Sequence, residues 1–151
     1  MSGQQAWLLV GSANTRKSTL ARCLTGCFNR NVRDIDLSSG GALKLYARVS
    51  ALQESRTSPQ DFLTEVARSR CEHVLFSLWP QHNPTDPQRW PDAQQYVDQL
   101  RQAGWQFPKV VVLGADPIRL QGTGEVLRIP VVKQQGVNTT AQQVRQHFGW
   151  R

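Results

Sequence analysis

The sequence has few of the features that identify a function directly, and cysteine is one of them. Three cysteines in 151 residues, Cys23, Cys27 and Cys71, are typical of a protein from a reducing compartment. Cys23 and Cys27 are four residues apart, but no other His or Cys pair at zinc-ligand spacing accompanies them. Small buried side chains are therefore favoured over a metal site.

Long apolar runs and leader-type segments are also lacking. No apolar run approaches the roughly 18–20 residues that a membrane span needs. The first residues, MSGQQAWLLVG, place no basic residue before a short apolar stretch, which is not typical of a signal peptide. We expect a cytoplasmic protein without membrane contact, with one domain covering residues 1–151, because a chain that is 39% hydrophobic can bury one compact core.

Acidic residues are outnumbered by basic ones, and the net charge is +7 with a pI near 10.0. Of the 18 basic residues 14 are arginine, whose fork geometry suits phosphate groups. They are scattered, however, and no basic run is longer than Arg16-Lys17. Nucleic-acid contact and a mere bias of composition are both open interpretations of this charge.

What the sequence does contain is a regular alternation of apolar β-type runs and helical patterns. This order predicts an α/β fold, a three-layer α/β/α sandwich around a mostly parallel sheet. Ser58 followed by Pro59 predicts a helix start, and Thr139 with Gln142 predicts a capping box. The predicted strands cover 6–10, two segments of 31–52 joined at 38–41, 73–79, 107–116 and 126–132; the predicted helices cover 17–28, 58–70, 92–104 and 138–148.

The most specific motif follows the first strand, where residues 8–20 read LLVGSANTRKSTL. It matches a phosphate-binding loop of the form G-x-x-x-x-G-K-[ST], except that Arg16 stands at the second glycine. In such a loop backbone N–H groups and a helix N-terminus face the phosphates, Lys17 reaches the outer phosphates, and the Ser18 hydroxyl holds magnesium. The predicted phosphate-binding residues are Gly11, Asn14, Thr15, Arg16, Lys17, Ser18 and Thr19.

Arg16 is the main departure from this motif. The residue before the motif lysine commonly needs a left-handed backbone, which costs a non-glycine residue on the order of 1–2 kcal/mol. A stable domain can bear that strain, and the guanidinium would face either solvent or the phosphates. The sequence therefore predicts a weakened or reshaped anion-binding loop, and the alternative is an ordinary strand-to-helix turn that contains Lys-Ser-Thr.

The element order and this motif together resemble the G domain of small GTPases, in the branch that begins G-x-P-N-V-G-K-S-T-L. Residues 11–20 here read G-S-A-N-T-R-K-S-T-L. The resemblance covers nearly the whole chain in element order and implies a P-loop NTPase (G-domain-like) topology that binds a purine nucleotide with Mg²⁺. The matching residues are Gly11, Asn14, Lys17, Ser18, Thr19 and Leu20; Ala13, Thr15 and Arg16 depart.

The other motifs of that family are mostly missing. The place of D-x-x-G reads S-A-L-Q at residues 50–53, and the strand HVLFSLW ends without an acid. The place of N-K-x-D reads L-G-A-D at residues 113–116, and the resemblance implies that the Asp116 carboxylate accepts hydrogen bonds from a guanine edge; the alternative is an ordinary helix or turn cap. The place of S-A-K reads V-K-Q at residues 132–134, where the resemblance implies that Lys133 stacks against the base; the alternative is a solvated lysine at a strand end.

Candidate metal ligands are few. Besides Ser18, the resemblance directs attention to Asp36 in the switch-like segment, although a surface carboxylate is the simpler interpretation. Ser38 and Ser39 occupy the stretch where a switch threonine is expected, and loop serines are common there. His73, His82 and His147 accompany no nucleophile motif, so no catalytic residue is assigned.

Three hypotheses on function follow, and they leave open whether the protein is an enzyme. The first is a GTPase-like domain that binds a purine nucleotide, with GTP or GDP favoured by Asp116 alone, and hydrolyses it slowly or not at all. The second is a pseudo-GTPase that binds protein or nucleic acid instead, with the loop 80–91 between Trp79 and Trp90 as a partner surface. The third is a small kinase.

Overall fold

The computed structural model describes residues 4–12, 20, 21, 24, 32–114, 118–129 and 137–150. Within them lie six strands and three helices with complete bounds. The strands are β1 (Gln5–Val10), β2 (Val32–Asp36), β3 (Ala42–Ala51), β4 (His73–Leu78), β5 (Gln106–Leu113) and β6 (Glu125–Ile129). The helices are α1 (Pro59–Ser69), α2 (Ala93–Gln102) and α3 (Val137–Phe148).

All six strands form one sheet in the order β2-β3-β4-β1-β5-β6. Only β2 is antiparallel to its neighbour, and the other pairs of adjacent strands are parallel. The central strand β1 is apolar from Ala6 to Val10 because both of its faces are covered. The predicted α/β class with a mostly parallel sheet is confirmed.

Helical residues cover both faces of this sheet. On one face, Phe62 and Val66 of α1 and Tyr96 of α2 join the apolar side chains of β1, β4 and β5. On the other face, Ala141 and Val144 of α3 pack against the sheet, together with three buried helical residues, Leu20, Ala21 and Leu24. No helix in the described part of the chain is long and apolar enough to cross a membrane.

The local signals at the helix ends are mostly confirmed. The Ser58 hydroxyl accepts the Asp61 N–H at 3.1 Å at the start of α1. Helix α2 ends before Gly104, whose φ of 97° is readily adopted only by glycine. The predicted capping box at Thr139 is wrong, because α3 begins at Val137 and Thr139 lies inside its first turn.

The β2–β3 hairpin turns at the amino edge of the sheet, where the parallel strands begin. Gly40 and Gly41 have φ values of 95° and 81° and close the turn. Residues 149 and 150 are hydrogen-bonded to this turn. The Ser38 N–H donates to the Gly149 carbonyl and the Ser38 hydroxyl donates to the Trp150 carbonyl, both at 3.0 Å. This hairpin therefore lies at the opposite edge from Gly11.

Candidate functional site

The carboxyl ends of β1, β3, β4 and β5 meet at one edge of the sheet, and this carboxyl edge is the candidate site. The Gly11 N–H donates to the Leu78 carbonyl at 3.1 Å, and the Gly114 N–H donates to the Ile129 carbonyl at 2.9 Å. After β1 the chain passes to the face that holds Leu20, whereas after β4 it passes to the opposite face and enters α2. Open α/β sheets typically bind ligands where the connections after two neighbouring strands leave to opposite faces in this way. We name this point, between the carboxyl ends of β1 and β4, the crevice.

Gly11 is the one predicted phosphate-binding residue that the structure describes, and it is buried at the mouth of this crevice. Its φ is not positive, so a left-handed backbone is not what requires glycine there. Strand β1 precedes the motif, and the helical residues Leu20 and Ala21 follow it. The remaining predicted site residues lie outside the described ones: Asn14, Thr15, Arg16, Lys17, Ser18, Thr19, Asp116 and Lys133.

The structure does not bring Asp36 to this crevice. Asp36 pairs with Ala42 at the amino end of β3, whereas Gly11 follows the carboxyl end of β1. About nine residues of strand separate the two levels, which corresponds to roughly 30 Å. Asp36 is exposed at the amino edge, and Ser38 and Ser39 lie beside it in the turn, so none of them borders the loop after β1.

The strand order also sets the segment 50–53 apart from β1. Strand β4 lies between β3 and β1, so the end of β3 is two inter-strand spacings, about 10 Å, from the Gly11 strand. The four strand ends at this edge, residues 10–12, 50–53, 77–79 and 112–114, contain no carboxylate. The nearest acid after β3 is Glu54, which is exposed.

One buried hydroxyl near the crevice has no partner. Ser77 of β4 pairs in register with Leu9 and is fully buried, and its Oγ makes no hydrogen bond. The alternation of β4 directs this side chain to the face where Leu9 and Leu20 pack. A hydroxyl beside the strand end thus remains available as a donor or acceptor.

Gln53 is a residue of the candidate site that the sequence reasoning missed. Its side chain is fully buried and holds the start and the end of the loop 79–91 together. The Nε2 group donates to the carbonyls of Trp79 at 2.9 Å and Pro91 at 3.1 Å, and Oε1 accepts the Trp79 N–H at 2.9 Å. A single glutamine in a Gln-rich chain gives no local signal of such a role.

Asn83 continues this polar framework into the loop. Its Nδ2 donates to the Gln53 carbonyl, its Oδ1 accepts the Thr85 N–H, and its own N–H donates to the Trp90 carbonyl, each at 2.9 Å. The sequence Asn-Pro-Thr is typical of an Asx turn, and that signal was available. The loop 79–91 is therefore held by side-chain hydrogen bonds beside the crevice.

The described residues show no metal centre at this edge. They contain no group of three or more His, Cys, Asp or Glu side chains that could hold a metal ion. A cavity of about 630 Å³ lies elsewhere, between α1 and the β2–β3 pair. The Glu65 carboxylate at this cavity is paired, because the Tyr46 hydroxyl and the Arg48 guanidinium both contact it at 2.5 Å.

Comparison with protein-family models, curated proteins and solved structures found no match to this chain.

Proposed function

We propose that the protein binds a purine nucleotide with its phosphates at the loop after β1, and that it hydrolyses the nucleotide slowly or not at all. The observation that carries this proposal is the position of Gly11. Gly11 directly follows the central strand β1, at the point where the connections after β1 and after β4 lead to opposite faces of the sheet. A phosphate-binding motif in that position has the surroundings that its chemistry requires.

The context of the motif supports the same proposal. A buried strand precedes G-S-A-N-T-R-K-S-T-L, and its last residue, Leu20, is helical and packs under the sheet. A loop between these two elements would direct N–H groups and the helix N-terminus at an anion. In this proposal Lys17 neutralises the outer phosphates, and Ser18 holds Mg²⁺ through its hydroxyl.

Slow turnover follows from the side chains at the carboxyl edge. Phosphoryl transfer depends on positioning and on electrostatic stabilisation of metal, water and phosphate. The four strand ends supply no carboxylate for that purpose, and Asp36 is roughly 30 Å away along the strands. The proposal includes a G-domain-like relationship and a guanine preference, which rest on the motif resemblance and on Asp116.

A second candidate is a pseudo-GTPase that binds macromolecules. The hydrogen bonds of Gln53 to the loop 79–91 favour it. This residue stands at the place of the D-x-x-G glycine, yet its side chain is fully used in holding the loop 79–91. A segment that supports a rigid loop is not free to rearrange around a γ-phosphate. This observation fits a binding module with a fixed surface.

Thermal unfolding with GTP, GDP, ATP or ADP, each with magnesium, distinguishes the two candidates. A ligand at about 100 times its Kd stabilises the folded state by about 2.7 kcal/mol, which raises the Tm of a chain of this size by roughly 5–10 °C. We expect such a rise with one purine nucleotide, and its loss in Lys17→Ala. Lys44→Ala removes an exposed lysine of β3 at the other edge and is the matched control.

The outcomes are distinct. No Tm rise with any of the four nucleotides contradicts nucleotide binding and leaves the binding module. A rise that Lys17→Ala retains contradicts the placement of the phosphates at this loop. Turnover as fast as that of a competent NTPase, lost in Lys17→Ala, contradicts the slow-hydrolysis part alone.

A further inference from the structure

Two arginines are held against one tryptophan at the carboxyl edge, and we name Arg56, Arg89 and Trp90 the arginine–tryptophan patch. The Arg56 guanidinium carbon lies 5.6 Å and the Arg89 guanidinium carbon 5.7 Å from the centre of the Trp90 ring. These distances are typical of cation–π contacts. Because both cations contact the same ring, they are at most about 11 Å apart.

The backbone fixes both arginines in place. Arg56 has a left-handed φ of 55°, and its N–H donates to the Gln53 carbonyl at 3.3 Å. The Arg89 N–H donates to the Asp86 carboxylate at 3.1 Å. The Gln53 side chain also donates to the Pro91 carbonyl, so one buried residue supports the backbone on both sides of the patch. The backbone around the two arginines is thus held in place before an anion binds, which lowers the entropic cost of binding.

Neither guanidinium has a carboxylate partner among the residues that the structure describes. The two salt bridges among the described residues join Arg48 to Glu65 and Lys109 to Glu125. Asp86 accepts the backbone N–H of Arg89 and forms no ion pair with its guanidinium. Arg56 and Arg89 are both exposed, and their charges therefore remain available for a ligand.

The loop beside the patch also has an excess of unpaired donors. The indole nitrogens of Trp79 and Trp90 have no hydrogen-bond acceptor among the described residues, but both atoms are shielded from solvent. The exposed guanidinium groups of Arg56 and Arg89 are the donors that a ligand can reach, and guanidinium groups donate and cannot accept. A ligand that complements them is therefore rich in acceptor oxygens, as phosphate groups are.

We infer that the arginine–tryptophan patch binds the phosphate groups of a single-stranded nucleic acid. Arginine forks match phosphate oxygens, and two cations at most about 11 Å apart can contact neighbouring phosphates of one strand. The net charge of +7 attracts a long polyanion in addition. Since Trp90 is almost fully buried, no base stacks on it, and binding is independent of base sequence.

The patch shares no residue with the proposed nucleotide site, and the inference does not depend on that site. The patch lies after β3 and in the loop after β4, and none of its residues belongs to the motif 11–20. Lys17→Ala should therefore leave the affinity for an oligonucleotide nearly unchanged. Loss of the nucleotide-dependent Tm rise together with retained oligonucleotide binding would separate failure of one proposal from failure of the other.

Fluorescence anisotropy with a labelled single-stranded DNA oligonucleotide of mixed sequence, measured over a salt series, tests the inference. We expect Arg56→Gln/Arg89→Gln to weaken binding at least about tenfold, because two charge-assisted contacts are lost. The slope of log K against log salt should become less steep by about 1.4 for two phosphates. Arg56→Lys/Arg89→Lys keeps the charges without the forks and should fall between wild type and the glutamine variant.

Arg68→Gln/Arg119→Gln is the matched control, because it removes the same charge from two exposed arginines elsewhere. Equal weakening in both glutamine variants would show that only net charge matters and would overturn the inference. Absence of binding by the wild-type protein at low salt would overturn it as well. Equal Tm values of the variants and wild type would verify that the fold is intact.

Three competitors identify the anion. Competition by a second unlabelled oligonucleotide, with a much weaker effect of tripolyphosphate, supports a nucleic-acid strand as the source of the phosphates. Binding of tripolyphosphate at the patch without oligonucleotide binding overturns the strand and assigns a free polyphosphate. Equal competition by poly-glutamate of the same total charge overturns phosphate recognition and indicates an acidic protein partner.

Discussion

The two edges of the sheet are held together by different chemistry. At the carboxyl edge, buried polar side chains fix the loops: Gln53, Ser58 and Asn83 are each at most 9% exposed and hydrogen-bonded to backbone groups. At the amino edge, aromatic side chains pack behind a hairpin turn. This difference separates a surface that presents polar groups from one that mainly supplies stability.

The amino-edge cluster is built around Trp150. This residue is 2% exposed, and its ring centre lies 5.4 Å from that of Trp7 and 5.0 Å from that of Phe148. Its backbone bridges Leu37, which ties the chain end to the β2–β3 hairpin. Aromatic packing of this kind buries a large area and offers few polar groups to a ligand.

The carboxyl edge has the opposite character. Gln53 and Asn83 satisfy backbone groups of the loop 79–91, but Ser77 and two indole nitrogens remain unpaired. The Trp150 indole nitrogen at the amino edge is unpaired as well, so three of the four unpaired buried side-chain groups among the described residues belong to the carboxyl edge. Buried polar groups without partners cost stability, and each calls for an explanation.

The largest effect is expected from Trp150→Ala. Removing a fully packed tryptophan costs about 3–5 kcal/mol of the free energy of unfolding, measured by urea denaturation. Hydrogen exchange should become faster at the Ser38 N–H, which donates to the Gly149 carbonyl, and remain slow at the Asn83 N–H. The control Val126→Ala changes a side chain that is 38% exposed and should cost less than about 0.5 kcal/mol. Similar losses of the free energy of unfolding in both variants would contradict a stabilising role of the amino-edge cluster.

A somewhat smaller effect is expected from Gln53→Leu, which breaks the other edge. The Trp79 N–H and the Trp79 and Pro91 carbonyls lose their partner, so the free energy of unfolding should fall by about 2–4 kcal/mol. Exchange should now accelerate at Asn83 and not at Ser38. Gln60→Ala removes a glutamine whose hydrogen bond to Gln99 is exposed, and it should be nearly neutral. If the Asn83 N–H exchanged as slowly in Gln53→Leu as in the wild type, Gln53 would not be what holds the loop 79–91.

The smallest effect is expected from Tyr96→Phe, which tests one polar link between α2 and the carboxyl edge. The Tyr96 hydroxyl donates to the Thr57 carbonyl at 2.6 Å, and its loss should cost about 1 kcal/mol at neutral pH. Burial, with a further contribution from Asp61, raises the pKa of Tyr96 well above its usual value.

The sign of the pH effect follows from that shift. Below pH ~10 the tyrosine is protonated in both the folded and the unfolded state, so its contribution to stability is constant. Above pH ~10 the unfolded state loses the proton first, and the wild-type protein should lose stability as the pH rises. Tyr96→Phe should lose less over the same range, and parallel pH profiles of the two proteins would contradict the assignment.

The sequence by itself determined the elements and their order. Alternation in residues 42–51 and the Ser58–Pro59 helix start are local signals, because strand periodicity and capping depend on neighbours within a few residues. The α/β class followed from that order. The motif 11–20 was equally local, and it indicated where along the chain to look for a phosphate site.

Only the tertiary structure decided which residues meet. It inserted β4 between β3 and β1, left Asp36 at the amino edge, and made Gln53 the buried support of the loop 79–91. It also brought Arg56 to Trp90, 34 positions later in the chain. Strand pairing and burial are set by contacts between distant segments, so no periodicity or short motif reports them.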